Sequence, residues 1–592
     1  MKKLAVILKE KLESGFEQAG YDAQYGMVSV SNRPDLCQYQ CNGAMAAAKQ
    51  YKKAPIQIAS DVIEQLKEDS SFEKIEAVAP GFINITVSGS LLVEMAGTMM
   101  TEEKFGLECE KKPKKVLIDY GGPNVAKPLH VGHLRPAVIG ESVKRILRYM
   151  GDDVIGDVHL GDWGLQIGLV LTEVKHRQPD LPYFDETFSG EYPQEAPFTI
   201  SDLAEIYPYA SSYSKEHEEY LLEAQQMTAK FQDGDRGCLA LWNHILNVSI
   251  PNLKENYRKL DVEFDLWKKE SDVQGYIPDM VEKMKADGVA HESEGALVVD
   301  VTEESDKKEI PPCIVVKSNG ATLYATTDLA TIVEREKLFS PDEIIYVTDK
   351  RQALHFTQVF RAAKKAGLTK KETELLFLGN GTMNGKDGKP FKTRDGGVLP
   401  LQKLREDVCQ KVFEKMKDNR DYAEEEAREI AEKVGLAAIK YGDLSNQIAK
   451  DYIFDMDRFT SFEGNTGPYI LYTIVRMKSL LAKYEKEGGR ISENGDPALL
   501  LPPENGSETD LFLSIAKFAD TMEAAYEEKA PHKVCQFIYE LSDSLNRFYH
   551  ENKILGNEDA AKKQSYLQML VLVKNMLEQC IYLLGFSAPE RM

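Results

Sequence analysis

Residues 116–150, VLIDYGGPNVAKPLHVGHLRPAVIGESVKRILRYM, constrain what this chain can fold into more than any other stretch. Val116-Leu117-Ile118 is a short apolar, largely β-branched run, the pattern of a buried strand in a parallel sheet. Gly121-Gly122-Pro123-Asn124 breaks it. From Leu134 onward, Val138, Ile139, Val143, Ile146, Leu147 and Met150 recur at helical spacing. At the junction stands His130-Val131-Gly132-His133, two imidazoles bracketing a glycine where a helix N-terminus opens. Free backbone N–H groups and the helix dipole favour an anion there. Gly132 lets a nucleotide approach the backbone. The histidines can donate hydrogen bonds to phosphate oxygens as charge builds in a transition state. The structural alternative is a pair of histidines satisfied by turn carbonyls.

The pattern continues as an α/β sheet. Residues 153–158 predict the next strand and complete a βαβ unit. The loop 159–168 follows at that strand's carboxyl end, where open sheets bind ligands, and offers Asp162 and Gln166 as pocket lining. Around 174–235 the strand pattern disappears, which predicts a helical insertion. Residues 312–317 and 344–347 predict further strands, with the block 323–330 between them and Asp349-Lys350-Arg351-Gln352 after the second. From Leu401 the chain reads as helical, with 434–441, 444–452 and 469–484 carrying apolar faces. Residues 487–507, rich in Pro, Gly and Asn, read as a loop. Before the sheet, 4–12 predicts an amphipathic helix, 25–30 a strand, 55–66 a helix and 80–87 a strand.

HxGH after a strand, opening a helix, resembles the first signature of class I aminoacyl-tRNA synthetases. Pro123-Asn124-Val125-Ala126-Lys127-Pro128 before it and Leu134-Arg135 after it resemble the arginyl-tRNA synthetases of bacterial type. The resemblance spans nearly the whole chain through separated blocks in the same order. It implies a multidomain α/β protein with three parts. Residues 1–112 would be a small α+β domain contacting tRNA, and 113–400 a Rossmann-like catalytic domain with the insertion. Residues 401–592 would be an all-α anticodon-binding domain. The implied activity is arginine–tRNA ligation, with L-arginine, ATP and tRNA(Arg) as substrates and Mg2+ accompanying ATP.

The resemblance also assigns roles. His130, His133, Lys127 and Lys392 are the candidate catalytic residues. Val131, Gly132, Gly381, Met383, Lys386, Lys389 and Thr393 are candidates for ATP binding. Asp119, Asn124, Tyr324, Asp328 and Gln352 would surround arginine, because a guanidinium needs planar carboxylate acceptors. Such a site rejects lysine or ornithine by leaving its carboxylates unpaired. Asp119 is one methylene shorter than the glutamate expected there, and Thr327 stands where the family has arginine. Asp328 has an alternative role as the N-cap of a helix beginning at Leu329. Gln40, Asn42, Asn446, Asn465 and Tyr469 are tRNA-contact candidates, and Tyr441 and Phe462 could stack on single-stranded RNA.

The stretch 379–394 is a cationic, glycine-rich loop. It is not a P-loop, since Asn380 takes the first glycine position and Asp387 the Ser/Thr position. It resembles a degenerate form of the second class I signature, KMSKS. Read as PFKTR, it has Pro390 and Thr393 at the lysine positions; read as KPFKT, it keeps Lys389 and Lys392. Lys127, Lys386, Lys389 and Lys392 are the cations that would meet the ATP phosphates.

Bulk properties bound the rest. A chain of 592 residues requires several domains. Eight cysteines form no CxxC pair and no His/Cys ligand spacing, which predicts a reduced, cytoplasmic protein without structural zinc. No stretch has the length and apolarity of a membrane span, and the start lacks a signal-peptide cleavage site. A formal net charge of −22 argues against a nucleic-acid partner unless a basic groove lies on an acidic body. A monomer is what the family implies. Two alternatives stay open: another class I synthetase, against which the missing zinc ligands count for cysteine, and a non-catalytic RNA-binding paralogue.

Overall fold

The computed structural model describes residues 1–109, 112–389, 399–416 and 422–592. Two compact units emerge. One comprises Met1–Lys111, Phe462–Tyr582 and Ser587–Met592; the other comprises Lys112–Ser461 and Leu583–Phe586.

The chain begins with helix α1 (Leu4–Gln18), strands β1 (Val28–Val30) and β2 (Tyr39–Cys41), and helices α2 (Gly43–Tyr51) and α3 (Pro55–Leu66). Strands β3 (Phe72–Val78) and β4 (Phe82–Val87) and helix α4 (Gly89–Thr101) follow. The strands form an antiparallel sheet in the order β1-β2-β4-β3. Leu4, Leu8, Leu12 and Phe16 of α1 and Ile58 and Val62 of α3 are fully buried, the one-sided burial their spacing predicts.

The second unit is built on β5 (Lys115–Tyr120), α5 (Leu134–Tyr149) and β6 (Asp153–Leu160). Helices α6 (Leu165–Arg177), α7 (Ile200–Glu216), α8 (Glu218–Gln232) and α9 (Arg236–Arg258) come next, so the insertion is helical. Then follow β7 (Leu266–Lys269), α10 (Ile277–Ala286), β8 (His291–Ser293), β9 (Ala296–Val299), β10 (Cys313–Val316), α11 (Tyr324–Phe339) and β11 (Glu343–Asp349). After α12 (Ala353–Lys365) come β12 (Glu374–Asn380), β13 (Met383–Asn384), α13 (Leu401–Met416), α14 (Glu424–Leu444), β14 (Tyr452–Ile453) and α15 (Met456–Phe459). Five of the strands make a parallel sheet in the order β12-β11-β5-β6-β7. From β5 the chain winds outward through β6 and β7, then returns to lay β11 and β12 on the other side of β5. The reversal therefore falls between β5 and β11. A crevice outside the carboxyl ends of those two strands is where such sheets take ligands. Beneath it, Leu117, Ile344, Tyr346, Leu329, Val359 and Phe356 pack one face of the sheet.

One expectation fails here. Residues 444–452 are not helical: α14 stops at Leu444, where Asn446 Nδ2 donates to the carbonyls of Gly442 (2.7 Å) and Asp443 (3.1 Å). Tyr452 and Ile453 then pair in parallel with Met383 and Asn384.

Helices α16 (Gly467–Lys486), α17 (Gly506–Ala516), α18 (Phe518–Glu527), α19 (Pro531–Glu551) and α20 (Ala560–Leu583) complete the chain. Within the first unit they pack on the N-terminal module. Phe105 meets Phe518 edge-on at 5.1 Å, Lys3 Nζ donates to Glu523 at 2.5 Å, and a Cβ on Gly89 would lie 2.9 Å from Pro503.

Candidate active site

A single 3₁₀ turn, Val131–His133, precedes α5 and is held by the histidines themselves. The His130 N–H donates to His133 Nδ1 at 3.1 Å, and the Gly132 N–H donates to His130 Nδ1 at 3.1 Å. Each Nδ1 is thus an acceptor, so each neutral ring carries its proton on Nε2. The turn satisfies the two rings through N–H groups rather than carbonyls. Burial, aided by the Lys127 charge, pushes His130 down to about 4. Burial, with the charges of His130 and Lys127, takes His133 to about 3. Both rings are therefore neutral near pH 7, with centroids 3.9 Å apart. A Cβ on Gly132 would come within 2.8 Å of the His130 ring, so the glycine is what lets that ring fold back on its own turn.

Lys127 is half-buried, and burial lowers its pKa. Its Nζ lies 5.7 Å from the ring centroid of Tyr207 on α7, which brings the insertion to this side of the crevice. Residues after the second loop return to HxGH: the Val131 N–H donates to the Leu399 carbonyl (3.0 Å), and the Leu401 N–H to that of Leu129 (2.9 Å). In the second loop, Gly381 and Met383 are buried, and Lys386 pairs with Asp455 at 3.2 Å. The Gly385 N–H reaches the Lys389 carbonyl at 2.8 Å, closing a turn. Lys392 and Thr393 lie outside the described residues.

The expected arginine-binding residues fall around the same crevice. Asp119 is the penultimate residue of β5, and its Oδ2 accepts from Arg335 Nη2 of α11 at 2.5 Å; the same nitrogen reaches Asp157 at 2.6 Å. Asp119 thus meets a guanidinium already present in the chain, and its Oδ1 takes no hydrogen bond from the described residues. Asp328 sits inside α11, which begins at Tyr324, so it is not the N-cap. Instead its Oδ2 lies 2.5 Å from His355 Nε2. Tyr324 is 72% exposed. Asn124 makes an isolated parallel bridge to Gly161. Gln352 is exposed, with Nε2 3.4 Å from Thr348 Oγ1.

Three groups that neighbour these residues carried no assigned role in the sequence reading. Glu270 is pushed up to about 7, first by burial and then by the charges of Asp162 and Asp328, against hydrogen bonds from the Trp163 and Asp162 N–H groups. Its charge also acts on Tyr324. His355 and Arg335 had no signal beyond their residue types. Asp162 turns out to hold structure: burial raises it to about 6, and it accepts from Ser271 N (2.9 Å) and Oγ (2.7 Å). Gln166 Nε2 donates to the Gly161 carbonyl at 2.7 Å.

Of the tRNA-contact candidates, Gln40 Nε2 donates to Asn84 Oδ1 at 2.9 Å, and Asn42 is exposed just before α2. Asn446 caps α14, and Asn465 is exposed just before α16. Tyr469 Oη accepts from Asn546 Nδ2 at 2.6 Å. Tyr441 is fully buried and has no face to offer a base.

Residues 95–456 match the family model of the class I (R) tRNA synthetase catalytic domain. Residues 2–87 match that of the arginyl-tRNA synthetase N-terminal domain, and 470–592 that of the DALR anticodon-binding domain. Over 100% of both chains, this sequence is 58% identical to the curated arginine–tRNA ligase of Agathobacter rectalis. This chain belongs to the arginyl-tRNA synthetase family. The arginine–tRNA ligase of Alkaliphilus oremlandii is 55% identical over 98% of each chain. Among solved structures, Plasmodium falciparum arginyl-tRNA synthetase has a TM-score of 0.79 at 24% identity, with both chains fully covered. The Thermus thermophilus enzyme has 0.76 at 21%, again with full coverage, and both share the fold of this family member. No helix among its described residues is long and apolar enough to cross a membrane.

Proposed function

We propose that the protein is an arginine–tRNA ligase that condenses L-arginine with ATP and passes the arginyl group to the 3′-terminal adenosine of tRNA(Arg). The observation that carries this is the HxGH turn: two neutral imidazoles, each with its proton fixed on Nε2, beside Lys127 at the switch point of the sheet. Neutral N–H donors held by their own backbone need no reorganisation when charge develops.

The arginine carboxylate attacks the α-phosphorus of ATP, supplied as its magnesium complex. A P–O bond forms to the carboxylate, the α–β P–O bond breaks, and pyrophosphate leaves. His130 and His133 hold the developing phosphate charge, and Lys127, with Lys386 and Lys389, offsets that of the leaving group. Asp328 and Glu270 take the guanidinium with Tyr324 beside them, and Gln352 and Asn124 line the same pocket. Asp119, braced by Arg335, presents its remaining oxygen. A terminal ribose hydroxyl of tRNA then attacks the acyl carbon and AMP departs. Neither step needs a covalent bond to the protein, so the work is positioning and charge stabilisation.

The three matched segments support division of labour among an N-terminal tRNA-contacting module, the catalytic sheet and an anticodon-binding bundle. The protein acts as a monomer in the cytoplasm, without structural zinc. ATP–pyrophosphate exchange with each amino acid, with and without tRNA, tests the assignment. Exchange with arginine alone, and only with tRNA present, is expected. Exchange with another amino acid would overturn the pocket assignment.

A further inference from the structure

Residues 443–455 form a strap that touches three parts of the crevice. At its start Asp443, fully buried in the last turn of α14, accepts at Oδ2 from Arg135 Nε (3.0 Å) and Tyr452 Oη (2.9 Å). Arg135 stands two residues after His133, in the first turn of α5. Its Nη1 donates to the Lys450 carbonyl at 2.8 Å, and its guanidinium lies 5.0 Å from the Tyr452 ring centroid.

Beyond this node the strap grips the base of the second loop. The Gly381 N–H reaches the Ile448 carbonyl (2.9 Å), the Tyr452 N–H that of Thr382 (3.1 Å), and the Phe454 N–H that of Asn384 (2.9 Å). A Cβ on Gly381 would stand 2.4 Å from the Lys450 oxygen, so only glycine permits this approach. Asp451 Oδ1 accepts from the Thr382 N–H (2.8 Å) and from Lys350 Nζ (2.7 Å), two residues before Gln352. Asp455 holds Lys386.

A buried ion pair is a poor way to gain stability, since apolar side chains of similar volume do as well or better. This one is also incompletely satisfied: Arg135 Nη2 and Asp443 Oδ1 are buried without a hydrogen-bond partner among the described residues. What the triad does supply is direction. A guanidinium bonded to a carboxylate and a carbonyl, with a ring against it, fixes distance and orientation where packing alone would let α5 and the strap slide.

We propose that Arg135, Asp443 and Tyr452 are positioning residues for adenylate formation, setting the HxGH turn and the second loop at the separation the α-phosphate transfer requires. This rests on the reading of those two segments as the phosphate-handling parts of the site. Tyr452→Phe removes the Asp443 hydrogen bond and leaves the ring against Arg135. Asp451→Asn releases the loop from the exposed side of the strap, where folding is not at stake.

The test is arginine- and tRNA-dependent ATP–pyrophosphate exchange, corrected for active-site concentration, on both variants, on His133→Ala and Lys386→Ala, and on Tyr452→Phe combined with Lys386→Ala. We expect kcat to fall about 10–100-fold in both strap variants, the scale of a misplacement of about 1 Å, while Tyr452→Phe leaves the arginine KM, tRNA Kd and Tm close to wild type. The double variant should lose less than the product of the single losses, since both act through one loop. Wild-type kcat in the two strap variants, a rise in arginine KM that accounts for the loss in Tyr452→Phe, or multiplicative losses in the double variant would each overturn the proposal. Wild-type exchange in His133→Ala and Lys386→Ala would instead overturn the reading of the two phosphate-handling segments.

Discussion

The two sides of the crevice handle charge in opposite ways. Around the HxGH turn, on the side proposed for the nucleotide, groups that could be cationic are kept neutral or unpaired, whereas Lys386 of the second loop is paired with Asp455. His130 and His133 are buried and locked by N–H donors, and Lys127 faces an aromatic ring with no carboxylate partner among the described residues. On the side proposed for arginine, carboxylates crowd together. Glu270 is raised to about 7 and Asp162 to about 6, Asp328 leans on His355, and Asp119 is already bonded to Arg335. A turn proposed to meet a polyanion keeps its own donors ready and uncompensated. A site for a guanidinium accumulates negative potential and uses internal partners to keep it tolerable until the ligand arrives.

The largest effect that would break this contrast comes from the nucleotide side. His133→Ala should lower kcat for arginine activation by about 10²–10³-fold, the cost of one lost transition-state donor, with little change in arginine KM. A matching rise in arginine KM would mean the histidines act on ground-state binding. Next, Asp328→Asn should raise arginine KM by about 10–100-fold through loss of a charge-assisted bond worth about 1.5–3 kcal/mol, with a smaller fall in kcat. Steady-state kinetics at saturating ATP and tRNA separate the two.

The third prediction is a pH dependence. Glu270 has a raised pKa, and the guanidinium favours its ionised form. Arginine affinity should therefore weaken as pH falls through about 7 and level off above it. Arginine binding near pH 7 should release protons, measurable by calorimetry in buffers of different ionisation enthalpy. Glu270→Gln should abolish the release. On the other side the histidine values are lowered, so the rings should show no titration by ¹⁵N NMR between pH 6 and 8. Their protonation works against folding: the unfolded chain takes up protons first, and stability is lost as pH falls below the ordinary histidine value towards about 4. The smallest effect concerns Tyr207. Replacing it by leucine removes a cation–π contact of about 0.5–1 kcal/mol and should change the ATP KM by no more than about fivefold.

How far the sequence foretold this depends on range. Val116-Leu117-Ile118, the helix from Leu134 and the helix at 55–66 were legible because their signals are local periodicities. HxGH was legible as the turn that opens a helix because the spacing of its glycine and histidines is itself a local signal. The stretch 444–452 was misread because Leu444, Ile448 and Tyr452 fall four residues apart, as on a helix. What overrides that spacing is the Asn446 cap and a strand partner at Met383, neither of which periodicity records. Arg335 bonding Asp119 across 216 positions, and Glu270 being raised by burial and then by the charges of Asp162 and Asp328, are products of the sheet's winding order. No inspection of the residues singly would reveal them.

The makeup of the first unit bears on how the chain is made. Its opening module and its closing helices belong together, with Phe105 set against Phe518 and Lys3 against Glu523, yet residues 112–461 are translated in between. On the ribosome, the surfaces that meet those helices emerge first and wait uncovered while the entire catalytic sheet is synthesised. In that interval Phe105 and the end of α4 lack the helices they later pack against, which leaves apolar surface open to aggregation. Slowing elongation within the catalytic segment should therefore lower the soluble yield more than the same delay placed after residue 530.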